Sequence, residues 1–242
     1  MLTIVREIAS QIFFSAINLI HSFVIRKRMN KICRIIKNIK LNNLDSIFDF
    51  SYKFCNGLIK PMQIKEEFIE LLKIVKREKP KNFLEIGTAF GGTLFCFCRI
   101  LPQNSKIISI DLPNGYLGGG YPKWKLPIYK SFANKNQNLY LIRGNSQSKT
   151  VISIIKKILN NEKLDFVFID GDHRYNLVKK DFYIYKNFCK KGSIIAFHDI
   201  LPDTIRKTEV YKFWNEIKNQ YKHKEIISNK NNKGFGIGLV YL

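Results

Sequence analysis

Residues 82–93 read NFLEIGTAFGGT, and the way this dozen divides decides the fold. The first five, NFLEI, form a short run with no polar alternation, as expected of a strand buried on both faces. Gly87, Gly91 and Gly92 follow, and from Gly91 to position 101 the spacing is helical. A buried strand running through a glycine turn into a helix is the repeating unit of a parallel α/β sheet. That unit recurs. Strands are expected at 106–110 (KIISI), 139–142, 164–169 (LDFVFI) and 193–197 (SIIAF), with β segments at 225–228 and 236–241. Helices are expected over 63–76, 151–159 and 175–188 and around 210–221. The first of these places Phe68, Leu71, Leu72 and Val75 on one face and stops before Pro80. The fold class is therefore α/β: a doubly wound, mostly parallel sheet of seven strands, covered by helices on both faces.

The 242 residues suffice for one such domain plus an appendage. A hydrophobic fraction of 45% with 13% aromatics fills a core and excludes a disordered chain. No run of about 18 uninterrupted apolar residues is present, so a membrane-spanning helix is not expected. The five cysteines are irregularly spaced, which suggests reduced thiols and a cytoplasmic address.

The division falls near residue 60, with 61–242 as the α/β domain and 1–60 as a helical, basic amphipathic appendage. Within the appendage, residues 11–25 (QIFFSAINLIHSFVI) are apolar but short. Residues 26–40 (RKRMNKICRIIKNIK) carry seven basic residues and no acid, with Ile32, Ile35, Ile36 and Ile39 as an apolar stripe. Such a helix can pack on its own domain or a second copy of the chain. It can equally lie on an anionic membrane surface, with residues 11–25 as anchor, which would put the protein at the inner face of the membrane. A signal peptide fits badly: Glu7 lies in the leading region, and no small-residue cleavage site follows.

Parallel sheets bind ligands at the carboxyl ends of their strands, so the residues just past each strand form the functional list. After the first strand comes E-x-G-x-x-x-G, comprising Glu85, Gly87, Thr88 and Gly91; Ala89 breaks the dinucleotide pattern G-x-G-x-x-G. Asp111 ends the second strand, where an acid can accept both hydroxyls of a ribose or serve as a loop cap. The third strand runs into Gly144-Asn145-Ser146-Gln147, whose small polar groups suit an adenine edge or a helix cap. The fourth and fifth strands end in Asp170-Gly171-Asp172-His173 and His198-Asp199. Three acids and two imidazoles at neighbouring strand ends can bind a divalent ion or supply a general base. The loop over 111–124 (DLPNGYLGGGYPKW) could cover the site through Gly118, Gly119 and Gly120, with Tyr121 and Trp124 as a stacking surface, or simply pack on the domain.

Taken together, FLEIGTAFGGT, IISIDLP, FVFIDGDHRYNLVKKDF and SIIAFHDI resemble class I S-adenosylmethionine-dependent methyltransferases. The nearest group comprises the cephalosporin-hydroxylase-like and the macrolide and sugar O-methyltransferases. The resemblance covers about residues 63–242 and implies the Rossmann-like sheet of that class. It also implies that Glu85, Gly87, Thr88, Gly91, Asp111, Ser146 and Gln147 hold S-adenosylmethionine. Mg²⁺ or another divalent ion would sit on Asp170, His198 and Asp199, with Asp172 in reserve. His173 or His198 could take the acceptor's proton; His173, with Asp170, is the preferred catalytic pair because His198 is a candidate ligand, though His173 could instead cap the helix that starts at Tyr175. Where the family carries an oxygen ligand, this chain has His198. The implied reaction is methyl transfer to a hydroxyl of a small molecule or glycan.

The net charge of +22 (41 Lys and Arg against 19 Asp and Glu) raises two rivals, an RNA ribose methyltransferase and a non-enzymatic membrane-surface protein that keeps the cofactor fold. Against base methylation, DGDH stands where such enzymes carry an (N/D)PP(Y/F) motif, so nucleic acid is not the expected partner. The small-molecule or glycan acceptor is, and an anionic membrane surface met through residues 11–40 and a second copy of the chain are further candidates. The expected site is the most acidic part of a basic chain.

Overall fold

The computed structural model describes residues 23–113, 120–203, 205–229 and 234–242. Among these, the elements run α1 (Met29–Asn38), α2 (Leu44–Lys53), α3 (Lys65–Glu78), β1 (Asn82–Ile86), α4 (Gly92–Ile100) and β2 (Lys106–Asp111). Next come α5 (Leu126–Lys130), β3 (Asn138–Arg143), α6 (Lys149–Leu159), β4 (Leu164–Ile169), α7 (Tyr175–Lys186) and β5 (Cys189–His198). The remainder is α8 (Val210–Ile217), β6 (Lys222–Ile226) and β7 (Ile237–Tyr241).

One seven-stranded sheet carries them in the order β3-β2-β1-β4-β5-β7-β6. Strands β1 to β5 run parallel to one another, while β7 runs antiparallel between β5 and β6. The chain winds outward from β1 through β2 to β3, then crosses back to start β4 on the other side of β1. Between β1 and β4 the connections leave in opposite directions and open a crevice at the strand ends.

Side chains alternate across the sheet and build two apolar layers. Phe83, Ile107, Phe166, Phe168, Ala196 and Leu239 pack with α1 to α5 on one face. Leu84, Ile108, Val167, Ile195, Phe197 and Val240 pack with α6, α7 and α8 on the other. Each buried aliphatic or aromatic side chain contributes roughly 1.5–3 kcal/mol, so both layers are needed to hold the sheet.

Several boundaries differ from the sequence reading. β5 starts at Cys189 rather than 193, because Cys189 pairs with Leu164 ahead of a register shift that restores pairing at Phe166 and Ile194. β6 starts at Lys222 and pairs with β7 along its whole length. The helix expected over 210–221 tightens to a 3₁₀ turn at Lys218–Gln220. The basic segment is not one unbroken helix: residues 23–27 are helical, Arg28 is a turn, and α1 follows.

The described part of the 1–60 segment shares the domain's core. Ile25, Ile32, Ile36, Ile47, Phe48 and Ile59 are buried in the same layer as Phe83 and Phe97. The Arg99 guanidinium donates to the Ile36 carbonyl oxygen, and the Cys33 thiol to that of Pro127. Of the apolar stretch at 11–25, residues 11–22 lie outside the described residues. Among the described residues no helix is long and apolar enough to cross a membrane.

Candidate functional site

A cavity of about 760 Å³ opens at the carboxyl ends of β1 to β5. Its shape starts with two backbone conformations. Gly87 has φ of +95°, and a Cβ there would overlap the carbonyl oxygen of Asp170, so β1 and β4 approach closely only because residue 87 is glycine. Asp199 has φ of +62°, a left-handed conformation uncommon outside glycine, which turns its carboxylate back over the strand end.

The β1–α4 turn is held from below. The Thr93 hydroxyl donates to Glu85 Oε1 at 2.6 Å and the Ser109 hydroxyl to Oε2 at 2.9 Å. Thr88 Oγ1 lies 2.6 Å from Ser109 Oγ in the same network. Glu85 is fully buried, and burial pushes its carboxyl up to about 8 despite those donors. Asp111 closes the turn: its Oδ2 accepts the backbone N–H groups of Thr88 and Ala89 at 2.8 and 2.7 Å, and its Oδ1 that of Leu112 at 2.7 Å. A carboxylate oxygen accepts about two bonds, so Oδ2 is full and Oδ1 keeps one place toward the cavity. Burial raises the Asp111 carboxyl, against the pull of the three amides.

Among the expected cofactor residues, Gly87, Asp111, Ser146 and Gln147 line the cavity. The structure places Glu85, Thr88 and Gly91 behind the turn instead, where they support it. Phe90, which the sequence reading passed over, takes a place in the wall. At the β3 end, Ser148 and not Ser146 caps α6, accepting from Val151 N. Ser146 instead donates to Asp181 Oδ1 at 2.7 Å, and Gln147 Nε2 to the Leu177 carbonyl at 2.9 Å. Asp181 is buried against the cavity and its carboxyl is raised to about 6 by burial.

The richest cluster lies past β4 and β5. His173 Nε2 sits 3.2 Å from Asp199 Oδ2 and 3.8 Å from Asp170 Oδ1, and its side chain remains 42% exposed, facing the cavity. His198 Nδ1 is 3.1 Å from Asp170 Oδ1 and 3.5 Å from Asp199 Oδ1. The Arg206 guanidinium reaches Asp199 Oδ1 at 2.9 Å, and Gln63 Nε2 donates to Asp170 Oδ2 at 2.5 Å. The Asp170 carboxylate, chiefly, raises the His173 imidazole. For His198, burial favours the neutral ring, but Asp170 and Asp199 outweigh it and lift the imidazole to about 10. Burial would push Asp199 up; the His198 charge, His173 and Arg206 instead hold it well below the usual carboxylate range. Asp170 is lowered in the same way, with His198 and His173 overcoming its burial.

Among the described residues, Asp170, His173 and Asp199 bring ligand atoms within 4.8 Å of one another, and His198, which also borders the cavity, stands beside them with Nδ1 3.1 Å from Asp170 Oδ1. Along β5, Ile195 and Phe197 face one layer and Ala196 the other. His198 follows the parity of Ala196, 3% exposed with its ring 6.0 Å from that of Phe235. Asp172, the reserve ligand, is taken by Arg174 at 2.7 Å. Nor does His173 cap α7, since Tyr175 N donates to Glu209 Oε2 at 3.1 Å.

Residues 114–119 of the covering loop, with Gly118 and Gly119, lie outside the described residues. Tyr121 is no stacking surface: it is 1% exposed and packs edge-on against Tyr129 at 4.7 Å. Trp124 is half-buried and carries the Arg26 guanidinium 5.5 Å from its ring.

Comparison with known proteins agrees with this geometry. Residues 84–200 match the model of a family described as a methyltransferase domain. An uncharacterized protein of Acanthamoeba polyphaga mimivirus, R132, is 32% identical over 119 residues, 49% of this chain and 51% of that protein. Tapetum-specific methyltransferase 1 of Arabidopsis thaliana is 30% identical over 144 residues, 56% of this chain and 54% of its own length. The chain thus spans about half the length of these curated relatives. Among solved structures, an O-methyltransferase from Bacillus cereus in complex with SAH superposes with a TM-score of 0.54 at 17% identity, covering 86% of this chain and 96% of that one.

Proposed function

We propose that this chain, whose residues 84–200 match a methyltransferase-domain model, is a class I S-adenosylmethionine-dependent methyltransferase that transfers the sulfonium methyl group of that cofactor to a hydroxyl of a small molecule or glycan. One observation carries the reading: a single cavity joins the Gly87–Asp111 lobe to the Asp170–His173–Asp199 cluster. Its volume lies within the range of small-molecule sites. The cofactor belongs in the first lobe. There Asp111 Oδ1 offers its remaining place to a ribose hydroxyl, and Ser146, Gln147 and Asp181 border the base.

Methyl transfer needs an oxygen in line with the methyl carbon and a place for its proton. His173 supplies that place. Its Nε2–H is held by Asp199 Oδ2 at 3.2 Å, so Nδ1 accepts the hydroxyl proton while the new C–O bond forms and the C–S bond breaks, and Asp170 and Asp199 stabilise the resulting imidazolium. Gln63 and Arg206 keep the two carboxylates aimed at the ring.

A second reading rests on Asp199 Oδ2, which is buried and without a hydrogen bond of good geometry. With Asp170 and His173 it makes a donor set that fits one divalent ion, which when bound would acidify an acceptor hydroxyl as a Lewis acid. A His173 that ligates cannot also take the proton, so the two readings exclude each other.

Titration calorimetry with S-adenosylmethionine is expected to give micromolar binding that weakens at least tenfold in Asp111→Ala; no binding at millimolar cofactor would overturn the proposal. With a hydroxylated acceptor, turnover is expected to survive chelation and to vanish in His173→Ala. Loss on chelation with recovery on adding Mg²⁺ would favour the second reading.

A further inference from the structure

We propose that the solvent face of the first helical segment, residues 23–38, docks on an anionic lipid bilayer. The opposite face is already occupied, since Ile25, Ile32 and Ile36 are buried in the domain. All seven basic residues of 26–40, Arg26, Lys27, Arg28, Lys31, Arg34, Lys37 and Lys40, are exposed. None of them pairs with a carboxylate among the described residues. Within α1, at 100° per residue, Lys31 and Arg34 share one arc opposite Ile32 and Ile36.

A basic composition alone does not explain this face. Three other helices pair a lysine with an acid, Lys73 with Glu70, Lys179 with Glu216 and Lys212 with Glu209, although α6 carries Lys149, Lys156 and Lys157 and no acid. Residues 26–40 contain no acid to do so. Apolar side chains border the charges, with Phe23 57% exposed and Val24 and Ile35 each 38% exposed. Lys27 Nζ lies 4.6 Å from the Phe23 ring centroid. Phosphates would satisfy the lysines on either a bilayer or a nucleic acid. Exposed Phe, Val and Ile beside them suit the boundary between headgroups and acyl chains, where an amphipathic helix lies in the plane.

The test uses the full chain and phosphatidylcholine vesicles with and without about one third phosphatidylserine, near 0.1 M salt. The protein is expected to sediment with the anionic vesicles and stay behind with the neutral ones. A basic residue near such a surface is worth about fivefold in partitioning, so Lys27→Glu/Lys31→Glu/Arg34→Glu should lower it at least ~100-fold. The control variant Lys156→Glu/Lys157→Glu/Lys191→Glu makes the same change in net charge at exposed sites elsewhere, and is expected to stay within about threefold of the parent. Phe23→Asp, at a side chain the core does not use, should cost ~tenfold. Thermal unfolding and S-adenosylmethionine binding, unchanged in all variants, report an intact fold. Equal loss in both triple variants, or equal sedimentation with both vesicle types, would overturn the proposal. So would an RNA oligonucleotide lost by the first triple variant while vesicle binding persists.

Discussion

Two buried side chains in the site are sensitive reporters. Glu85 has a folded-state carboxyl near 8, against about 4.5 for an ordinary one. Its ionisation therefore opposes folding: stability falls as pH rises from about 4.5 and levels off above about 8. Glu85→Gln removes that penalty, which is at most roughly 5 kcal/mol. The gap in thermal midpoint between variant and parent should widen from pH 5 to pH 9; a constant gap would refute the assignment. Gln63 acts differently, by fixing the Asp170 oxygen that faces away from His173. Gln63→Ala is expected to lower kcat about tenfold with S-adenosylmethionine affinity unchanged, and to shift the pH–rate profile. Gln63→Glu, which sets a second carboxylate against Asp170, should be worse than Ala. No sequence signal marks Gln63, because it precedes the first strand and joins the site only through tertiary packing. Asp181 did leave a trace: it shares a helix face with the buried Val178, Phe182 and Tyr185, an odd place for an acid without a partner.

At the scale of elements, α1 separates a packed face from a free one within two residues. Ile36 is fully buried and Ile35 is 38% exposed. Ile36→Ala is expected to cost about 2–5 kcal/mol in denaturant unfolding, and Ile35→Ala less than about 0.5. Similar costs for both would mean that the helix does not dock as described. Most elements were legible for one physical reason: strands buried on both faces are uninterrupted apolar runs, and helices show their period through the buried face. β1 and β4 have the bounds their apolar runs mark. What could not be read were features decided across elements. The early start of β5 depends on Leu164 in another strand. The approach of His173 to both Asp170 and Asp199 depends on the turn after β4 meeting the end of β5.

At the scale of the molecule, the two apolar layers and the strand-end crevice make one cooperative unit, so a ligand in the cavity should stabilise all of it. At about 100 times its Kd, bound S-adenosylmethionine adds roughly 2.7 kcal/mol, about 5–10 °C in Tm for a chain of this size. Asp111→Ala should erase most of that rise at the same cofactor concentration, as scanning calorimetry would show. The sheet order carries a further consequence. β7 is synthesised after every other strand, yet it sits between β5 and β6 and pairs Ile237 with His198 at the rim of the site. Until residues 237–241 emerge from the ribosome, β5 is an open and apolar edge, the kind that recruits other chains. A nascent chain stalled before residue 237 is therefore expected to aggregate or hold a chaperone, and one that has cleared residue 241 to be released from it. Translation rate through this region would then help to set the yield of active protein.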